Sequence, residues 1–253
     1  MEDCLYEARR LAEDGVRELI VVAQDTSRYG IDLYGERRLP ELLRELCRIE
    51  KLHWIRVHYL YPDELSDELI DVIASEPKIV NYMDIPIQHV NPLILKKMNR
   101  RGTREELDAL FAKLRERIPD VVIRTSIITG LPYEGEAEFE ELCDWLREHK
   151  LERVGAFAFS PEEGTPAAAM PMQIPEADKQ ARLDALMAQQ RGISRRRGQR
   201  RVGQEVEVLI EGADARGAHG RFRQIHRLSA FHRDCDAADI APVLEFFIIR
   251  HIL

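Results

Sequence analysis

The stretch Asp120–Gly130, DVVIRTSIITG, running into LPYEGE at 131–136, decides the fold. Val121, Val122, Ile123, Ile127 and Ile128 are apolar and β-branched, and only Arg124, Thr125 and Ser126 stand between them, the composition of a buried strand. Gly130, Pro132 and Gly135 supply a turn, after which EAEFEELCDWLREHK repeats apolar residues at helical spacing. Strand, tight turn and helix in that order make half of a parallel βαβ unit.

The same rhythm continues in both directions. Downstream, RVGAFAFS (153–160) reads as the next strand, and a Pro-rich loop leads to a long polar helix starting near Glu176. Upstream, TREELDALFAKLRERI opens on Thr103 with Glu106 three residues later, a capping box. NPLILKKMNRR is a helix, KIVNYMDIPIQH a strand entering a loop, and HWIRVHYLY (53–61) a strand followed by the helix PDELSDELIDVIASE. LPELLRELCRIE (39–50) is a helix with Pro40 in its first turn, and ELIVVA (18–23) a buried strand after a helix that breaks at Gly15. No Gly-rich phosphate turn follows the first strand, so these units predict a partial (β/α) barrel with parallel strands rather than a nucleotide-binding open sheet. Residues 1–200 form this barrel. After a basic run, VGQEVEVLIEG alternates as the start of a small β-domain at 201–212, and residues 213–253 form a divergent tail without clear period, ending in the apolar LEFFIIRHIL.

The formal net charge of −8 argues against a general affinity for nucleic acid. No apolar run reaches the roughly 20 residues of a membrane span, and the acidic start MEDCLYEARRLAEDG is unlike a signal peptide, so the expectation is a cytoplasmic chain without membrane contact. Cys4, Cys47, Cys143 and Cys235 have no metal-site spacing, and read as reduced thiols packed as small apolar groups.

In parallel α/β barrels the chemistry sits at the carboxyl ends of the strands. Here those ends read AQDTSRYG, HYLYPDE, DIPIQH, ITGLPYEGE and FSPEEGTPA, each rich in polar groups, Gly and Pro. As a set, ELIVVAQDTSRYG, YLYPDEL, YMDIPIQH with LKKMNRRG, IRTSIITGLPYEGE and GAFAFSPEEGTPAA resemble the radical S-adenosylmethionine (SAM) domain of methylthiotransferases over residues 5 to 212. YMDIPIQH is similar to the RimO branch, whose substrate is an aspartate of a small-subunit ribosomal protein, more than to the tRNA-modifying MiaB branch. VGQEVEVLIEG resembles the start of the family's TRAM β-barrel.

The resemblance implies SAM as cofactor and a ribosomal protein or the ribosome as partner. A SAM pocket needs acceptors, a cation and apolar walls. Gln24 and Asp25 can accept from the amine or ribose hydroxyls, and Gln88 can contact the ribose. Arg124 can pair with the carboxylate through its fork of donors, or else snorkel to the barrel rim. Gly130 allows close backbone approach. Phe157 and Phe159 share one face of their strand; Phe157 can flank the adenine, although core packing is the more ordinary fate of each. His58 and His89 lack partners at metal-ligand spacing and read as structural residues. Glu134 and Glu136 read as a turn and a dipole-stabilised helix start. The arginine run at 195–201 reads as a solvated helix end, with an electrostatic contact to ribosomal RNA as its functional alternative.

The family's reaction also requires 4Fe-4S clusters, one of them in a Cys-x-x-x-Cys-x-x-Cys loop, and no cysteines of that spacing are present. No catalytic residue or metal ligand is therefore assigned. The expectation is an inactive fragment from a truncated or frame-shifted gene, with a cluster-free SAM- or ribosome-binding module as the alternative. An aldolase-like barrel is disfavoured, because no Lys ends a strand to form a Schiff base. A sheet lacking its first strand would expose an edge prone to association.

Overall fold

The computed structural model describes residues 1–200, 202–203, 207–214, 217–222, 225–228 and 246–248, with side chains described no further than Leu209. In chain order the elements are α1 (Glu2–Glu13), β1 (Glu18–Val22), α2 (Ile31–Tyr34), α3 (Leu39–Cys47), β2 (Trp54–Val57), α4 (Asp67–Ser75), β3 (Ile79–Asp84), α5 (Pro92–Lys97), α6 (Arg104–Arg117), β4 (Val122–Thr129), α7 (Glu136–His149), β5 (Arg153–Ala158) and α8 (Glu176–Gln199). Four short strands follow: β6 (Val208–Asp214), β7 (Gly217–Phe222), β8 (Ile225–Leu228) and β9 (Phe246–Ile248). The chain divides into two compact units: Met1–Asp84 with Leu114–Val122 and Gln204–Leu253, and Ile85–Lys113 with Ile123–Gly203.

In the first unit β3, β2, β1 and β9 pair in parallel, in that order. Leu19, Ile20 and Val21 are wholly buried, as a strand covered on both faces must be. α3 contributes Leu39, Leu42, Leu43 and Leu46 to the core from one stripe. Trp54, Val80, Tyr82 and Val122 form a cluster against which Leu209 packs.

One feature of this sheet is costly in isolation. Glu18 and Arg56 are buried with no side-chain exposure, Arg56 Nε donating to Glu18 Oε1 at 2.6 Å. Glu18 is paired in register with Trp54 and Ile20 with Arg56, so the ion pair runs diagonally across one face. The Arg56 guanidinium lies 4.7 Å over the Tyr82 ring, where its Nη atoms find π density in place of a hydrogen-bond acceptor.

Three differences from the sequence reading arise here. The second strand ends at Val57, not Tyr61: Tyr59 turns to φ +56, and its carbonyl accepts the Thr26 N–H at 3.0 Å, which draws the chain out of the sheet. Beyond Gly212, where the alternation was expected to lapse, β6, β7 and β8 form an antiparallel sheet reaching Leu228. β7, GAHGRF, has small and polar residues at most positions, so it pairs through its backbone without an apolar period to announce it. Phe246–Ile248, from the apolar tail, lies along β1 at the edge expected to be open.

The second unit is built on β4 and β5, parallel and in register from Arg124↔Arg153 to Thr129↔Ala158. Trp145 anchors its helical layer, donating from Nε1 to Asp108 at 2.6 Å and packing against Phe111 and His149. The Thr103–Glu106 capping box forms in both directions, at 2.8 and 3.3 Å. No described helix is long and apolar enough to cross a membrane.

Candidate functional site

β4 alternates: Thr125, Ile127 and Thr129 are buried, while Arg124, Ser126 and Ile128 on the opposite face are only half-buried. Register places Arg153, Gly155 and Phe157 of β5 beside them. The result is a continuous strip carrying two cations, Arg124 and Arg153, a hydroxyl and, at the carboxyl end, two apolar side chains. Gly155 makes room for the first of these cations, since a Cβ there would lie 3.7 Å from Arg124 Nη2 and any longer side chain would press on the guanidinium. Phe157 is 58% exposed, which corrects the expectation that it packs in the core: its position beside Ile128 faces away from the helices.

Gln88 joins the same strip through its backbone. Its N–H donates to Ser126 O at 2.9 Å and its carbonyl accepts from Ile128 at 3.0 Å, a parallel bridge opposite Ile127. Gln88 holds φ +70, which a residue with a Cβ adopts at a cost of roughly 1–2 kcal/mol. Thr125 Oγ1 stabilises the segment by accepting from Ile87 N–H at 3.2 Å and donating to Ile85 O at 2.8 Å.

Gly130 does not offer its backbone to a ligand in the expected way. It holds φ +74, and the space a side chain would take is filled by the Lys179 stem, whose Cγ would lie 2.3 Å from an added Cβ. Its N–H is already bound, donating to Glu134 Oε1 at 2.8 Å. Glu134 in turn differs from its reading as a turn residue at a helix start. It is fully buried, accepts from Arg182 Nη1 at 3.0 Å, and lies 3.4 Å from His89 Nε2. His89 Nδ1 accepts from Asn91 N–H at 2.9 Å, so the ring proton resides on Nε2, facing Glu134. One carboxylate thus fixes the loop after β4, the start of α7 and the first turns of α8.

In the first unit, Gln24 is exposed just past β1. Asp25 caps a short 3-10 turn at Thr26–Arg28, accepting from the Ser27 N–H at 3.1 Å and from the Ser27 hydroxyl. Burial raises its pKa above the usual carboxylate range, and the Ser27 bonds offset part of that rise. Its carboxylate is therefore largely committed within its own loop.

Ser126, Gly155 and Arg182 were not singled out from sequence, and Glu134 was read there only as part of a turn. For Ser126 the signal was available, since period two from Arg124 reaches it. For Arg182 none was, because 48 residues separate it from Glu134.

The described residues do not fit an iron–sulfur cluster. Cys4, Cys47 and Cys143 lie on three different helices, and no group of three potential metal ligands exists among the described residues. Burial pushes the Cys47 thiol up to about 12 and the Cys143 thiol up to about 11, and raises Cys4 as well, which disfavours the thiolate a cluster requires. Cys235 lies outside the described residues. The donor set of the β4–β5 strip does fit SAM: a guanidinium for a carboxylate, polar groups for hydroxyls, and an open aromatic for a purine.

The family model described as the Radical SAM superfamily matches residues 1–146. The ribosomal protein uS12 methylthiotransferase RimO of Alkaliphilus oremlandii is 50% identical over 211 residues, covering 83% of this chain and 48% of that protein. The RimO of Lachnoclostridium phytofermentans is 52% identical over 212 residues, covering 84% and 48%. The chain thus spans about half the length of the curated relatives it matches. Among solved structures, Escherichia coli coproporphyrinogen III oxidase (HemN), a radical SAM enzyme, superposes with a TM-score of 0.57 at 18% identity, over 76% of this chain and 45% of that one. Streptococcus suis SuiB bound to S-adenosylmethionine gives 0.52 at 15% identity, over 77% and 41%. At such identities the structural likeness is one of fold.

Proposed function

We infer, from the premise that this chain belongs to the Radical SAM superfamily, that it is the SAM-binding part of a RimO-type methylthiotransferase acting on an aspartate of a small-subunit ribosomal protein. The observation that carries the SAM assignment is the β4–β5 strip, where Arg124, Ser126 and Phe157 share one accessible face and Gln88 is bridged to it. The substrate assignment rests on relatives named for ribosomal protein uS12.

Arg124 would hold the SAM carboxylate, because a planar fork of donors matches two carboxylate oxygens where an ammonium offers a point charge. Gln88 and Ser126 would serve the ribose hydroxyls, and Phe157 with Ile128 would provide an apolar seat for adenine. Gly130 would act through shape, holding the loop after β4 against α8. Gln24 and Asp25 belong to the first unit and not to this strip; of the two, Gln24 is the less committed. When bound, SAM supplies the sulfonium from which the superfamily's chemistry starts. The reductive part of that chemistry is not assigned to the described residues.

Calorimetric titration with SAM tests this reading. Arg124→Ala is expected to weaken binding about 100-fold, near 3 kcal/mol for a charge-assisted pair, with Arg124→Lys recovering part of it. Undetectable binding to the unmodified chain sinks the reading, and an unchanged Kd in Arg124→Ala removes Arg124 from it.

The thiols favour a second reading, a cluster-free SAM- or ribosome-binding module. Anaerobic incubation with iron and sulfide is then expected to leave the 253-residue chain without acid-labile sulfide, its Cys47 and Cys143 slow to alkylate at pH 8. A stable cluster on this chain alone would exclude that module.

A further inference from the structure

We propose that the last turns of α8 form a phosphate-binding face for ribosomal RNA, with Arg191, Arg195, Arg196 and Arg200 as its contacts. This names a partner surface for the ribosomal reading above and rests on that reading only for the kind of RNA.

The helix has two sides that behave differently. One is pinned to the turn before β5: Gln190 Nε2 donates to Leu151 O at 3.0 Å, Ser194 Oγ to Glu152 O at 3.1 Å, and Arg197 Nε to Lys150 O at 3.2 Å. Ile193 is buried between them, and Arg197 also pairs with Glu152 at 3.2 Å. The other side presents Arg191, Arg195, Arg196 and Arg200, all exposed, and none has a carboxylate within ion-pair distance among the described residues. Some exposed arginines elsewhere do find one, Arg28 and Arg37 sharing Glu64 and Arg44 meeting Glu68, while Arg9, Arg10, Arg17 and Arg101 do not among the described residues. Four uncompensated cations within ten residues, as two stripes about 140° apart around the helix, stand out in a chain of net charge −8.

Geometry points to a polyanion. Arg191 with Arg195, and Arg196 with Arg200, are each four residues apart, so each pair stacks one turn apart, roughly 6 Å along the axis. Gly192 leaves the surface clear behind Arg196, whose Nη1 would lie 3.6 Å from an added Cβ. The helix dipole explains cations in the final turn but not Arg191 or Arg195, because its influence fades beyond that turn. None of the exposed positions from 191 to 200 is apolar, whereas a protein-docking surface centres on buried apolar or aromatic anchors. Arginine forks without such anchors suit phosphates.

The test measures fluorescence anisotropy of a labelled RNA hairpin with the 253-residue chain across a series of salt concentrations. The variant Arg191→Gln/Arg195→Gln/Arg196→Gln/Arg200→Gln is expected to bind at least tenfold more weakly at low salt. The slope of log affinity against log salt should fall by about 3, at roughly 0.7–0.9 for each phosphate that is no longer neutralised. A control with Arg9, Arg10, Arg101 and Lys113 changed to Gln removes the same charge elsewhere and should bind as the parent does. Unchanged melting temperatures show that both variants fold. Equal losses in variant and control, no binding by the parent at low salt, or binding to an acidic peptide in place of RNA each overturn the proposal. SAM titration is unaffected by these changes, so a failure here is distinguishable from a failure of the SAM assignment.

Discussion

Arg56→Met is expected to destabilise the chain by about 3–5 kcal/mol, the usual cost of stranding one member of a buried ion pair. The residue left behind is Glu18, a carboxylate buried in the first sheet that would lose its 2.6 Å donor and the nearby guanidinium. For a chain of this size the loss corresponds to a fall of roughly 10 °C in melting midpoint. The double change Glu18→Leu/Arg56→Met should recover most of it, since two apolar side chains in place of a buried pair are often neutral or stabilising. Thermal denaturation followed by circular dichroism reads both. A single variant as stable as the parent, or a double variant no better than the single, would show that the pair is not desolvated as its burial implies. The Tyr82 ring beneath the guanidinium makes Arg56→Lys a poor substitute, because an ammonium has neither the planar stacking nor the fork.

The second large effect is expected at Glu134. Glu134→Ala removes the acceptor for the buried Gly130 N–H and one of the two acceptors of Arg182 Nη1, and takes the carboxylate from beside the buried His89 ring. About 3–5 kcal/mol should be lost, with Glu134→Gln intermediate because its carbonyl can still serve Gly130. Arg182→Met should cost less than Glu134→Ala, because the Arg182 side chain retains some access to water. An inverted order, with Arg182→Met the more damaging, would mean the carboxylate is not the hub of the network. Glu134→Ala should also weaken SAM binding if the loop after β4 shapes the pocket, whereas Trp145→Ala should act on stability alone.

Much of the architecture was legible because it is written locally. Thr103 and Glu106 are three residues apart and bond each other; Pro40 sits in the first turn of α3; β4 announces itself by its β-branched run. The Arg124 cation of the β4–β5 strip was equally legible, since it is an interruption in an apolar strand. What escaped was everything decided by distant partners. Glu18 and Arg56 are ordinary charges until their strands pair. The nearest feature to Glu134 is the start of α7, whereas its burial depends on Arg182 and His89. Aromatics such as Phe157 usually go to the core, but which face of β5 is covered is settled by the helices and not by β5 itself.

Gly130 and Lys179 illustrate a constraint of another kind, one on mutational history. The lysine stem occupies the volume a side chain at 130 would need, and the backbone there holds φ +74. Any lineage that replaces the glycine while the lysine stands must pass through a clashing intermediate. Shortening residue 179 first would open the way, but only by hollowing a packed region. Position 179 is therefore expected to change before position 130 does, and the left-handed backbone at 130 still penalises any residue with a Cβ there.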